Sequence, residues 1–192
     1  MLRYRFNRRV MFYYATIIII IYIIFYIFRK KVTHITKLSP LEKYNLVKDK
    51  WCGVKMFSFL VGYYSPFSNV TNPLVISYNE KECKVLMKDN QKNYNCFNSV
   101  HAIAMSNIGE LSIGLVILEY INNKNKNSTI YKYRGIITNI ECIYYKKTRG
   151  DIIAISNIED MANNNLIASL YNTQGKIICN VSTTWNISKE RL

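Results

Sequence analysis

Residues 99–121 read SVHAIAMSNIGELSIGLVILEYI. The run is apolar on nearly every face of a helix, the pattern of a helix wrapped by other structure on all sides. Outward from it, the chain breaks into short strand-like runs. Leu74–Tyr78 and Cys83–Met87 precede it, joined around Asn79-Glu80, with Asp89–Tyr94 as a polar loop. After a polar loop at Asn122–Thr129 come Ile130–Tyr145, Asp151–Ile158, Leu166–Tyr171 and Lys176–Trp185. The last run alternates, placing Ile177, Cys179, Val181, Thr183 and Trp185 on one face. Asn163–Asn165 and Asn172–Gly175 supply turns. The order is β-β-α-β-β-β-β, an α+β class in which about six antiparallel strands pack around one long helix.

The first fifty of the 192 residues differ from the rest. They hold eleven Lys/Arg against Glu42 and Asp49, a net of +9, whereas residues 51–192 hold fifteen basic and ten acidic residues, a net of +5. Met11–Phe28 reads MFYYATIIIIIYIIFYIF, eighteen residues without a charge. As a helix it spans roughly 27 Å, close to the hydrocarbon thickness of a bilayer. Arg8-Arg9 and Arg29-Lys30-Lys31 bracket it, and no small-residue cleavage site follows, so a retained single-pass anchor is expected. The expected layout is a basic flank at 1–10, a transmembrane anchor at 11–28, a linker at 29–50 and one domain at 51–192. Within the linker, Ser39-Pro40 is a plausible helix start. The aromatic stretch 51–65 (WCGVKMFSFLVGYYS) reads as a helix packed on the domain or as a surface resting on the bilayer. The downstream basic flank, with Lys37 and Lys43, leans toward a cytosol-facing domain; the organelle is not indicated.

The domain's small positive surplus does not call for a nucleic-acid partner. Five cysteines without a CxxC pair fit reduced thiols better than a disulfide framework or a zinc site. GxSxG, P-loop, GxGxxG and HExxH motifs are absent, and His34 and His101 are the only histidines. No metal or cofactor is implied.

Residues 95–114, NCFNSVHAIAMSNIGELSIG, resemble the motif of the hotdog-fold acyl-CoA thioesterase superfamily. That motif opens with Asn, reaches His at the start of the central helix and places an acid nine residues later. Asn95, His101 and Glu110 occupy those positions. The sequence is most similar to a little-characterised branch carrying N-x-x-x-S-V-H-A-I-A-x-x-N-x-x-E. Ser65-Pro66-Phe67, Tyr144–Gly150 (YYKKTRG) and Thr184-Trp185 also resemble its pieces. The likeness covers roughly residues 45–190. It implies a hotdog fold, acyl-CoA or another acyl thioester as substrate, and a homodimer or dimer of dimers.

By that resemblance, Glu110 is the general base or nucleophile, with His101 and Asn95 as its motif partners. Ala102 and Ile103 would supply backbone N–H groups to the developing oxyanion at the positive end of the helix. Asn107, three residues before Glu110, shares its helical face and is a candidate to orient the carboxylate. Asn98, next to the helix start, is a further substrate-binding candidate. Lys147 and Arg149, with Lys146, could hold coenzyme A phosphates, or could be a solvated strand end. Nine residues put His101 and Glu110 on opposite sides of one helix, roughly 13.5 Å apart along it. Two copies about a twofold axis could aim both at one atom, so the catalytic reading requires a dimer. These thioesterases usually carry Gly-Gly after the His, where this chain has Ala102-Ile103. That departure favours the alternative of a non-catalytic module that binds acyl-CoA or a protein partner at a membrane. A hydratase or dehydratase on the same fold is a third reading.

Overall fold

The computed structural model describes residues 38–191. The expected basic flank, the anchor at Met11–Phe28 and the linker as far as residue 37 lie outside the described residues.

Helix α1 (Pro40–Val47) begins at the Ser39-Pro40 start expected from sequence. Ser39 Oγ accepts the Glu42 N–H at 3.1 Å, and Glu42 Oε2 accepts the Ser39 N–H at 2.7 Å. This reciprocal pair satisfies donors that the first helical turn leaves open. Leu41 and Tyr44 enter the core, so the folded unit starts at Ser39, inside the stretch read as linker.

Helix α2 (Gly53–Tyr64) stops just before Pro66, since a residue ahead of proline disfavours helical backbone. Its inner face buries Phe57, Ser58 and Gly62. Ser58 Oγ donates to Val54 O at 2.7 Å and accepts the Val75 N–H at 2.9 Å, which ties α2 to β1.

Strands β1 (Leu74–Tyr78) and β2 (Glu82–Met87) form a hairpin. Asn79 Oδ1 accepts both the Lys81 and Glu82 N–H groups in its turn. The central helix α3 (Ala102–Lys126) follows. Then come β3 (Tyr131–Tyr144), β4 (Ile152–Asn157), β5 (Asn165–Asn172) and β6 (Ile177–Arg191). All six strands form one antiparallel sheet in the order β1-β2-β4-β5-β6-β3. α3 lies against five of them, β2 through β6. Among the described residues it alone is long and apolar enough to cross a membrane, and most of it is core.

α3 seats tightly. A Cβ on Gly109 would stand 2.5 Å from Val181 Cγ2, so the helix reaches β6 only with hydrogen at that position. Ser112 Oγ bonds Cys83 O at 3.2 Å and Ser156 Oγ at 2.7 Å, which satisfies the buried hydroxyls at the contact. At the far side, Tyr44, Phe57 and Tyr78 rings pack at centroid distances of 5.1, 5.8 and 6.0 Å. Among the described residues, every core side chain lies between Leu41 and Trp185. The unit beginning at Ser39 therefore carries its own core.

Two boundaries and one face assignment differ from the sequence reading. α3 runs on to Lys126 through the polar segment expected as loop. Asn125 explains this: its Nδ2 donates to Tyr133 O at 3.1 Å and its Oδ1 accepts the Tyr133 N–H at 2.6 Å, clamping the last turn to β3. β6 continues past Trp185 to Arg191 because β3 pairs with it along its whole length. Ile177, expected on the inner face, is exposed, since a bulge at Ile178 shifts the register between Leu170 and Tyr171.

Candidate functional site

The segment before α3 is pinned from both sides. Asn95 Oδ1 accepts from Phe97 N, Ser99 N and Ser99 Oγ at 3.0, 3.3 and 3.1 Å, so Asn95 organises a turn. Asn98 takes a left-handed conformation (φ 51°), and its carbonyl accepts Arg149 Nε at 2.6 Å. Val100 N donates to Thr148 O at 3.0 Å, and His101 N to Asn93 O at 2.7 Å.

His101 is the N-cap of α3, and its Nδ1 accepts the Ile103 N–H at 3.1 Å. This is a correction at the helix start. The Ile103 N–H, expected to face an oxyanion, is engaged by the histidine ring. Among the described residues the Ala102 N–H has no acceptor, as first-turn amides commonly lack one. Asn107 is a second correction: its Nδ2 donates to Ser68 O at 3.3 Å and Thr71 Oγ1 at 3.4 Å. It fastens the turn Ser68–Thr71 onto α3 and has no bond to the Glu110 carboxylate.

Glu110 is half-buried, and its carboxylate accepts no hydrogen bond from the described residues. Burial alone holds its carboxyl above the ordinary carboxylate range. It stands at the junction of two cavities. One, of about 350 Å³, is apolar and runs between the inner face of α2 (Phe57, Leu60, Val61, Tyr64), α3 and Trp185. The other, of about 530 Å³, lies over the first turns of α3 and is walled by Phe67, Ile103, Ser106, Ile140, Cys142 and Tyr144. Gly114 keeps the carboxylate accessible: a Cβ there would sit 3.6 Å from Glu110 Oε1.

The second cavity contains residues that the sequence did not single out. Ser106 Oγ and Tyr144 Oη are 2.6 Å apart, and they reach the Ala102 carbonyl at 3.1 and 3.2 Å. Cys142 Sγ donates to Ser106 Oγ at 3.2 Å. The Tyr144 hydroxyl is pushed up to about 12, by burial first and with Cys142 adding to it, so it is a donor at neutral pH. Only the resemblance in Tyr144–Gly150 touched this group.

The remaining candidates divide. Lys147 lines a surface cavity of about 330 Å³ together with Lys146, Asn95, Ser99 and Ala102. Arg149 is held by the Asn98 carbonyl instead. His101 faces a different hollow, of about 310 Å³, shared with Phe67, Lys92 and Asn107. None of the four cavities contains both His101 and Glu110. No group of three His, Cys, Asp or Glu side chains among the described residues is arranged to hold a metal ion.

Against known proteins, the family model for a domain of unknown function, DUF4442, matches residues 53–187. The chain belongs to the DUF4442 family. This member of DUF4442 matches no curated protein. Its fold is similar to that of the genomics target APC5556 (TM-score 0.60, 20% identity, 78% of this chain and 97% of that one). It is also similar to a Pseudomonas aeruginosa protein of unknown function described as a probable thioesterase (TM-score 0.57, 14% identity, 68% and 92%). A third similar structure is zebra fish thioesterase superfamily member 2 (TM-score 0.54, 16% identity, 73% and 96%). At these identities the likeness shows the fold alone. The DUF4442 domain here has a hotdog fold, a six-stranded antiparallel sheet packed on the long helix α3.

Proposed function

We propose that the domain hydrolyses an acyl thioester such as acyl-CoA, with Glu110 as general base or nucleophile. The observation that carries this reading is the position of Glu110, where an apolar cavity meets an open one at the helix start. An acyl chain suits the apolar cavity, and its thioester would then lie beside Glu110 while the bulky carrier stays in the open one. A carboxyl held above its usual range by burial is a better proton acceptor, as base catalysis near neutral pH requires.

The donor side is the Ala102 N–H; the Tyr144 hydroxyl joins it by giving up its bond to the Ala102 carbonyl, which Ser106 Oγ continues to serve. A second copy belongs to the proposal. β3 is an edge strand whose Ile136, Ile140 and Ile143 are exposed at 68, 49 and 49%. Such an edge invites pairing with another chain. Pairing β3 with its symmetry mate would enclose the open cavity between two copies, giving Glu110 of one a partner helix start. Lys146 and Lys147, beside that start, would meet the carrier's phosphates. The proposal places the domain on the cytosolic side of a membrane, held by Met11–Phe28 as a single span.

The test uses residues 39–192, which carry every core side chain among the described residues. They should hydrolyse medium- or long-chain acyl-CoA as a dimer, and Glu110→Gln should remove turnover while leaving the dimer intact. Binding of acyl-CoA without turnover, unchanged in Glu110→Gln, would transfer the site to the tethered-module reading. Ile103, a bulky residue at 59% exposure where a smaller one would admit a thioester, is the observation that favours that second reading.

A further inference from the structure

α2 has two apolar faces. The inner one is core and cavity wall, but the outer one is uncovered in the folded unit. Met56, Phe59 and Tyr63, spaced i, i+3 and i+7 and thus in one line, are 50, 74 and 71% exposed. Trp51, just ahead of the helix, is fully exposed at 101%. Aromatic groups cost a great deal to hold in water, and a contiguous patch of this kind marks a contact surface.

The charge beside the patch favours one kind of partner. Lys48, Lys50 and Lys55 are exposed next to it against one exposed acid, Asp49, and no Asp or Glu occurs from Lys50 to Asn79. A patch that combines Trp, Tyr and Phe with a surplus of lysines matches the boundary between acyl chains and anionic headgroups. It offers little to the basic side chains of a protein partner. Chain length agrees. Ten residues separate Phe28 from Ser39, a reach of at most about 40 Å, so an anchored chain has this domain close to the bilayer surface.

We propose that the outer face of α2 is a membrane-contact surface, seated in an anionic phospholipid bilayer through Trp51, Met56, Phe59 and Tyr63. The same helix then separates lipid from the apolar cavity, and Tyr64 and Leu118, exposed at 57 and 49%, mark where that cavity opens. The surface does not depend on the hydrolase reading and is tested without turnover.

The experiment is co-sedimentation of residues 39–192, which lack the anchor, with phosphatidylcholine vesicles containing or lacking phosphatidylserine. Binding is expected with phosphatidylserine and is expected to weaken in high salt. The Trp51 emission should shift to the blue on binding, and Trp51→Phe should abolish that shift. Trp51→Ser with Phe59→Ser should lower partitioning about tenfold or more, with an unchanged circular dichroism spectrum. Lys50→Glu with Lys55→Glu should remove the preference for phosphatidylserine. The proposal is overturned if the folded fragment ignores anionic vesicles, or if the serine pair leaves partitioning unchanged. It is equally overturned if Phe59→Ser instead dissolves an oligomer that does not bind vesicles, since a second copy would then own this face.

Discussion

His101 Nδ1 accepts the Ile103 N–H at 3.1 Å, so the ring caps the helix whose start it was expected to share with a substrate. The bond occupies one of the two backbone donors there. His101→Ala should therefore lower stability by about 1 kcal/mol, the usual cost of a lost N-cap, and His101→Asn should restore most of it. Chemical denaturation of the three proteins reads this directly. An activity loss in His101→Ala that His101→Asn fails to rescue would show a role for the ring beyond capping.

Glu110 is raised by burial and has no hydrogen-bond partner among the described residues. Its folded form binds a proton more readily than its unfolded form, so the charged carboxylate costs stability once pH rises through the folded value. Glu110→Gln should accordingly melt higher than the parent at about pH 8, with the gap closing by about pH 4, near the ordinary carboxylate value. Hydrolysis, on the proposed mechanism, should fall about 10²- to 10⁴-fold in the same variant. A thermal-melt series across pH separates the two effects.

Gly114→Ala relieves a helix-interior glycine and should stabilise the domain by about 0.5–1 kcal/mol. The added methyl would stand 3.6 Å from Glu110 Oε1. It shields the carboxylate further from water, so the acidic limb of the rate–pH profile should move to higher pH. An unmoved limb would show that Glu110 is not the titrating group.

Gly109→Ala is expected to act oppositely. Its Cβ would meet Val181 Cγ2 at 2.5 Å, and overpacking of this kind costs about 1–3 kcal/mol. Combining it with Val181→Ala should cost less than the sum of the two single changes, because the smaller partner makes room. Additive costs in that double-mutant cycle would place the strain elsewhere.

Ile140→Lys on the exposed edge strand should convert a dimer to a monomer in sedimentation velocity. On the proposed function it should also abolish turnover, with the fold unchanged by circular dichroism. A monomeric parent that hydrolyses acyl-CoA would refute the shared site.

Much of this was legible along the chain, and particular residues show how. The unbroken apolar run through Ile108, Ile113 and Ile117 marks a helix buried on all sides, and all three are fully buried. Ser39 with Pro40 and Glu42 spells a helix start. Glu110 stands out by its motif position nine residues after His101, since the same apolar run also holds Glu119. Tyr144, Ser106 and Cys142 do not. Tyr133, Gly135 and Ile137 face the core, and simple alternation would carry Asn139, Glu141 and Ile143 inward after them. A bulge between Ile137 and Asn139 reverses the phase, so Ile140, Cys142 and Tyr144 line the cavity instead. Only the polar Thr138-Asn139 pair hints at the break.

The sequence by itself determined the elements and their order, because periodicity and capping are local properties of a chain, and the motif spacing resembling a known family marked the acid within α3. Tertiary structure alone decided what surrounds that acid. The Tyr144 hydroxyl comes 38 positions beyond Ser106 to lie 2.6 Å from it. His101 turns back on its own helix, and Asn107 is drawn to the turn at Ser68. Side-chain partners are chosen by which groups the packing brings within hydrogen-bond distance, and spacing along the chain carries no record of that choice.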